Sequence, residues 1–187
     1  MNAKNARKLL FTVADVLEAV GAEYFLYGGT LLGAVRDGGF IAIDRDVDLA
    51  MRLEGLTPIA RAINKGLIRA GLKTEMIDHR HKHPWSGGIF AIKFAGYGEH
   101  GDLSAFTLIN GKRAIPSHAG GFWNVHSAEY MTELGFVELY GRMFPCPADV
   151  DGFLTEKYGD WRTPHTHFYN KSKPTCRKDE SWLEGAR

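Results

Sequence analysis

The chain has 187 residues, with 23 Lys plus Arg against 22 Asp plus Glu, a net charge of +1. That balance argues against bulk nucleic-acid binding and against a polybasic membrane anchor. Aromatic residues at 12% are too many for a disordered chain, and the length predicts one domain burying roughly 70% of its unfolded surface.

Cys146 and Cys176 are too few and too far apart for a disulfide scaffold, so a reducing, cytoplasmic setting is expected. No run of about 18 apolar residues occurs, so no transmembrane segment is predicted. The first residues are amphipathic and do not read as a signal peptide. Without such a signal, the formal sequon at Asn170 carries no expectation of glycosylation.

Leu9, Leu10, Val13, Val16, Leu17 and Val20 recur at helical spacing, and Gly21 stops the helix. Residues 24–27 form an apolar run into Gly28-Gly29, which reads as a buried strand entering a tight turn. Thr30 is placed to cap a short helix that ends at Gly38-Gly39. Residues 47–51 read as a strand. Thr57-Pro58 opens a helix with the stripe Ile59, Ile63, Leu67 and Ala70. Residues 72–77, 88–95 and 102–108 are predicted strands, while residues 110–135 give no readable period. A hairpin is expected to turn near Gly141, and Asp149 to cap a helix reaching about Tyr158. The fold class is therefore α+β, a small mixed sheet flanked by helices. The domain is expected over residues 1–165, with a polar C-terminal tail at 166–187.

The stretch from Gly28 to Met51 is the most informative. Asp46 and Asp48 sit two apart at a strand start, so their side chains project to one side. Adjacent carboxylates repel unless a cation lies between them, and hard oxygen ligands suit Mg²⁺ or Mn²⁺. Asp102, opening a later strand, is the expected third acid of a two-metal site. The Gly28-Gly29-Thr30 turn offers N–H groups to a phosphate, and Lys93 or Arg36 offers positive charge.

The run Tyr27-Gly28-Gly29-Thr30-Leu31-Leu32-Gly33-Ala34-Val35-Arg36 continues through Gly39-Phe40-Ile41 to Asp44-Arg45-Asp46-Val47-Asp48-Leu49. Far downstream stand Pro145 to Pro147 and Tyr158-Gly159-Asp160-Trp161-Arg162. Both blocks, in this order, resemble the LicD family, which includes fukutin and fukutin-related protein. The resemblance implies a nucleotidyltransferase-like fold. It implies a phosphotransferase moving a phospho-alcohol, such as phosphocholine or ribitol phosphate, from a CDP-linked donor to a glycan or glycoconjugate hydroxyl. Carried over by position, Asp46, Asp48 and Asp102 become metal ligands. Gly28, Gly29 and Thr30 become the phosphate turn, and Arg36 the motif arginine. Ala42-Ile43 stands where the family has Pro-Trp, and Arg45 where it has a middle Asp. The chain is short for the family, so no separate acceptor domain is expected. Two rival readings share these residues: a nucleotidyltransferase acting on a small molecule or RNA, and a binding module with a degenerate site.

Other motifs read more plainly. Gly96-Tyr97-Gly98-Glu99-His100-Gly101 matches GxGxxG, but a strand follows where a dinucleotide site needs a helix, so a hairpin turn is expected. His79, His81 and His83 would share one strand face, but Arg80 and Lys82 between them disfavour zinc. Trp85, Trp123 and Trp161 are expected in core packing before sugar or base stacking.

Overall fold

The computed structural model describes residues 1–78, 89–116, 123–164 and 175–177. Helix α1 (Ala3–Ala19) starts where the Asn2 side chain accepts from the Asn5 N–H at 3.2 Å. It buries Leu9, Leu10, Val13 and Leu17. The short strand β1 (Tyr24–Leu26) follows and is wholly buried. Then come α2 (Gly28–Arg36), β2 (Val47–Arg52) and α3 (Leu53–Arg69). Strands β3 (Lys73–Asp78), β4 (Ile89–Gly96), β5 (Glu99–Ile109), β6 (Lys112–Pro116) and β7 (Trp123–Ser127) follow in order. A 3₁₀ turn, Ala128–Met131, leads to the hairpin β8 (Leu134–Leu139) and β9 (Arg142–Pro147). Helix α4 (Val150–Tyr158) and the two-residue strand β10 (Cys176–Arg177) complete the described elements.

Strand β5 organises the sheet. It runs parallel to β2 and antiparallel to β4 along its first part, and its end pairs with β6. β1 extends the sheet beyond β2, β3 beyond β4, and β7 with β10 beyond β6. The mixed sheet flanked by helices agrees with the expected α+β class. Alternation along β2 separates two faces. Val47, Leu49 and Met51 are fully buried on the face covered by α1 and α3. Asp48 points to the other face, which carries the polar chemistry.

Several sequence expectations change. Helix α3 begins at Leu53, a turn before Thr57-Pro58, and the Thr57 hydroxyl donates to the Leu53 carbonyl at 3.0 Å. Thr30 does not cap α2: Tyr27 holds the cap position, and Thr30 lies inside the helix, fully buried. The unreadable stretch contains β6 and β7. Its pattern is broken because β6 buries a charged residue, Arg113, which forks onto the Glu54 carboxylate of α3. The glycine-rich GxGxxG segment is the β4–β5 hairpin, turning on Tyr97-Gly98 with both residues at positive φ. Tyr140-Gly141 turns the β8–β9 hairpin in the same way. Asp149 caps α4 as expected, accepting from the Gly152 N–H at 2.9 Å. Within the span read as a polar tail, β10 pairs with β7, and most of the rest lies outside the described residues. Among the described residues no helix is long and apolar enough to cross a membrane.

Candidate metal and phosphate site

The loop between α2 and β2 brings a third acid to the expected pair. Asp44, Asp46 and Asp48 alternate along the chain entering β2, and each offers a carboxylate oxygen within 4.8 Å of the others. Asp44 and Asp46 lie in the loop before β2, with a bend at Asp46, and Asp48 is the second residue of the strand, so the path of the loop gathers the three. All three are half-buried, so water screens their repulsion only in part. Asp48 shows the consequence. Burial holds its carboxyl well above the usual carboxylate range, and the charges of Asp46, Asp102 and Asp44 push it further. The Gly29 N–H, donating at 2.8 Å to Asp48 Oδ2, works against that rise.

Two glycines make room for this group. A Cβ on Gly28 would stand 2.0 Å from Asp48 Oδ2, and one on Gly29 would stand 1.9 Å from Asp44 Oδ2. Gly28 also holds φ at +54°, where a side chain is strained. The start of α2 is thus a cradle for two carboxylates. Thr30 fastens the same place from below, its hydroxyl accepting from the Asp48 backbone N–H at 2.9 Å. In the turn expected to face a phosphate, the Gly29 N–H donates to Asp48 and Thr30 is enclosed.

Asp102 lies beside this cluster rather than inside it. It is the register partner of Asp48 across β2 and β5, and so shares its face. The Ser104 hydroxyl donates to Asp102 Oδ1 at 2.7 Å. Lys93 is the partner of Asp102 on the far side, and Glu75 is the partner of Lys93. One row therefore crosses four strands: Glu75, Lys93, Asp102 and Asp48. Lys93 is exposed at this row.

Arg36 is placed elsewhere. It ends α2, eight residues and about 12 Å from Gly28 along the helix. Its guanidinium forks onto Asp37 with two contacts of 2.8 Å and reaches the Trp161 carbonyl at 3.5 Å. These contacts join α2 to the downstream Trp161 block. Trp161 is buried, with the Arg162 guanidinium 4.4 Å above its ring. Trp123 is buried in a small cluster with Ala114 and Val125. Both pack, as expected. His79, His81, His83 and Trp85 lie outside the described residues.

Asp44 is the site residue that sequence reasoning passed over. Its signal was present: a third acid two positions before Asp46, continuing the same alternation.

The family follows from comparison. The nucleotidyltransferase domain family described as LicD/FKTN/FKRP matches residues 21–149. This chain belongs to that family. The matched span includes α2, the three clustered acids and Asp102. The mouse protein named ribitol 5-phosphate transferase FKRP is 30% identical over 152 residues, 79% of this chain and 30% of that protein. Its human counterpart of the same name is 57% identical over 42 residues, 22% of this chain and 8% of that protein. The chain thus matches less than a third of these relatives' length. A solved structure, ANT(2″)-Ia in complex with adenylyl-2″-tobramycin, aligns with a TM-score of 0.46 at 14% identity, covering 75% of this chain and 68% of that one.

The donor set fits a hard divalent cation. Three carboxylates offer only oxygen, they converge within 4.8 Å, and the glycine cradle keeps side-chain carbon away from them.

Proposed function

We propose that this chain transfers a phospho-alcohol from a CDP-linked donor to a hydroxyl of a glycan or glycoconjugate. The observation that carries the reading is the convergence of Asp44, Asp46 and Asp48 over the Gly28-Gly29 cradle. Membership of the LicD/FKTN/FKRP family supports it, as does the likeness to ribitol 5-phosphate transferases, which favours ribitol phosphate or a similar alcohol as the group moved.

Asp44, Asp46 and Asp48 would hold Mg²⁺ or Mn²⁺, with Asp102 at the edge of the set able to share a second ion. Such an ion, when bound, supplies charge neutralisation at the acids and polarises phosphoryl oxygen. The protein's own groups do the rest. Asp102, oriented by Ser104, takes the proton of the acceptor hydroxyl. Lys93, the partner of Asp102 and exposed, meets the negative charge of the donor phosphates. The acceptor oxygen forms its bond to the phosphorus of the alcohol phosphate. The bond from that phosphorus to the CMP oxygen breaks, and CMP leaves.

Phosphorus NMR tests the reading. The protein is incubated with Mg²⁺ or Mn²⁺ and a panel of CDP-alcohols, CDP-sugars and NTPs, with glycan acceptors present. CMP release from one CDP-alcohol, lost on chelation and in Asp48→Asn, is the expected result. Pyrophosphate release from an NTP would instead make the chain a nucleotidyltransferase. A protein that binds no Mn²⁺ at millimolar concentration would be a binding module with a degenerate site.

A further inference from the structure

Beside the acid cradle runs a buried polar chain that the proposed reaction does not use. Lys157 of α4 is 4% exposed, Tyr27 8% and His126 of β7 fully buried. The Lys157 ammonium donates to the Tyr27 hydroxyl and lies 4.0 Å over the Tyr27 ring. Tyr27 Oη meets His126 Nε2 at 3.2 Å, and His126 Nδ1 meets Glu156 Oε2 at 3.0 Å. Glu156 also accepts from the Ser127 hydroxyl at 2.7 Å and from its N–H at 3.0 Å. Rings tighten the group: His126 stacks on Phe153 at 4.7 Å, and Phe106 meets both Tyr27 and His126 edge-on.

The direction of each bond can be worked out. Burial pushes the His126 imidazole down to about 4, so the ring is neutral near pH 7. A neutral ring donates from one nitrogen and accepts at the other. Glu156 can only accept, so His126 donates from Nδ1 and accepts at Nε2. Tyr27 therefore donates to His126 and receives from Lys157. The bonds run in one sense, from Lys157 to Tyr27 to His126 to Glu156, and hold the Tyr27 side chain from two elements.

Tyr27 is also the hinge of the cradle. Its N–H donates to the Asp48 carbonyl at 3.2 Å, and its carbonyl accepts from the Leu31 N–H at 2.9 Å. Gly28 and Gly29 follow it directly. Rotation at Tyr27 would therefore move the Gly29 N–H and the space that Asp44 and Asp48 occupy.

We propose that the Lys157–Tyr27–His126–Glu156 chain is a positioning device, through which α4 and β7 set the cation affinity of the Asp44–Asp46–Asp48 cluster. The inference rests on the proposed metal site. Lys157 and Tyr27 are positioning residues, since they act through the backbone that carries the cradle. Charge alone predicts the opposite sign: removing a positive side chain lowers the repulsion felt by a bound cation and so does not weaken Mn²⁺ binding. Supporting partners of metal ligands typically account for about 10- to 100-fold in metal affinity.

The test is Mn²⁺ affinity, read by electron paramagnetic resonance without substrate, alongside thermal unfolding. Lys157→Met keeps an unbranched side chain of similar length, so α4 stays packed. Tyr27→Phe keeps the ring and removes the hydroxyl. Each is expected to weaken Mn²⁺ binding about tenfold. The double variant should be no weaker than the worse single, because both cut the same bond. Arg142→Met, which frees the β8–β9 hairpin from Asp15 and Glu18 of α1, should leave Mn²⁺ affinity unchanged. Should Tyr27→Phe not fold, Lys157→Met decides alone. Unchanged or tighter Mn²⁺ binding in folded Lys157→Met overturns the inference and leaves the metal site standing. A wild-type chain that binds no Mn²⁺ overturns the metal site itself.

Discussion

Gly29→Ala separates the stability of α2 from the function of the acid cradle. Gly29 sits at the second position of a nine-residue helix, at a φ that any residue adopts. Alanine there favours the helix by up to about 1 kcal/mol over glycine. The new Cβ, however, stands 1.9 Å from Asp44 Oδ2. Ordinary contact needs about 3.4 Å or more, so the carboxylate must retreat by about 1.5 Å. The obstacle is the end of a side chain and not backbone, so the chain folds and Asp44 turns away. A displacement of about 1 Å at a reacting centre can cost on the order of 100-fold in rate. The expected result is an unchanged or slightly raised melting temperature, weakened Mn²⁺ binding and transfer activity reduced on the order of 100-fold. Circular dichroism melts, Mn²⁺ titration and CMP release measure the three. Wild-type Mn²⁺ affinity and activity in a folded Gly29→Ala chain would refute the cradle argument.

Thr30→Val removes the hydroxyl that accepts from the Asp48 N–H while keeping the buried volume. The unpaired N–H should cost about 1–3 kcal/mol, read as a lowered urea midpoint. Asp48, with its carboxyl raised above the ordinary value near 3.8, holds its proton more tightly folded than unfolded. Its contribution to stability is full below that value and lost as pH rises through the folded one. In chelating buffer the melting temperature should therefore fall with rising pH more steeply in the wild type than in Asp48→Asn. Equal slopes would remove Asp48 as the cause. His126 behaves oppositely: its folded value of about 4 lies below the ordinary 6.5, so stability present above 6.5 is lost as pH falls toward 4. The loss amounts to about 3 kcal/mol. Glu156, whose carboxyl is held low by bonds from His126 and Ser127 against its burial, adds loss in the same acid direction. Urea titrations between pH 7 and 4.5 should show the slope in the wild type and a flatter one in His126→Gln.

Much of the site was written in local spacing. Asp44, Asp46 and Asp48 are two residues apart in the chain, and the bend at Asp46 where the loop enters β2 is enough to bring their carboxylates together. The apolar stripe of α1 and the cap at Asp149 are equally local, since each rests on helical period or on one side chain reaching three residues along. Hairpin turns at Tyr97-Gly98 and Tyr140-Gly141 follow from the backbone freedom of the glycines. Long-range pairing decided the rest. That Asp102 stands beside Asp48, with Lys93 beyond it, depends on the register of β2, β5 and β4, which no nearby residue specifies. Arg36 meets the carbonyl of Trp161, 125 residues later, at the far end of α2, a contact no local spacing announces. Thr30 is enclosed because its hydroxyl meets a strand 18 residues away. The β6–β7 stretch hid from the sequence because Arg113 is buried against Glu54, a charge inside a strand that only a partner 59 residues distant makes tolerable. Residue spacing determined which groups can act together. Tertiary packing decided which of them meet, because a buried charge or hydroxyl goes where its partner is.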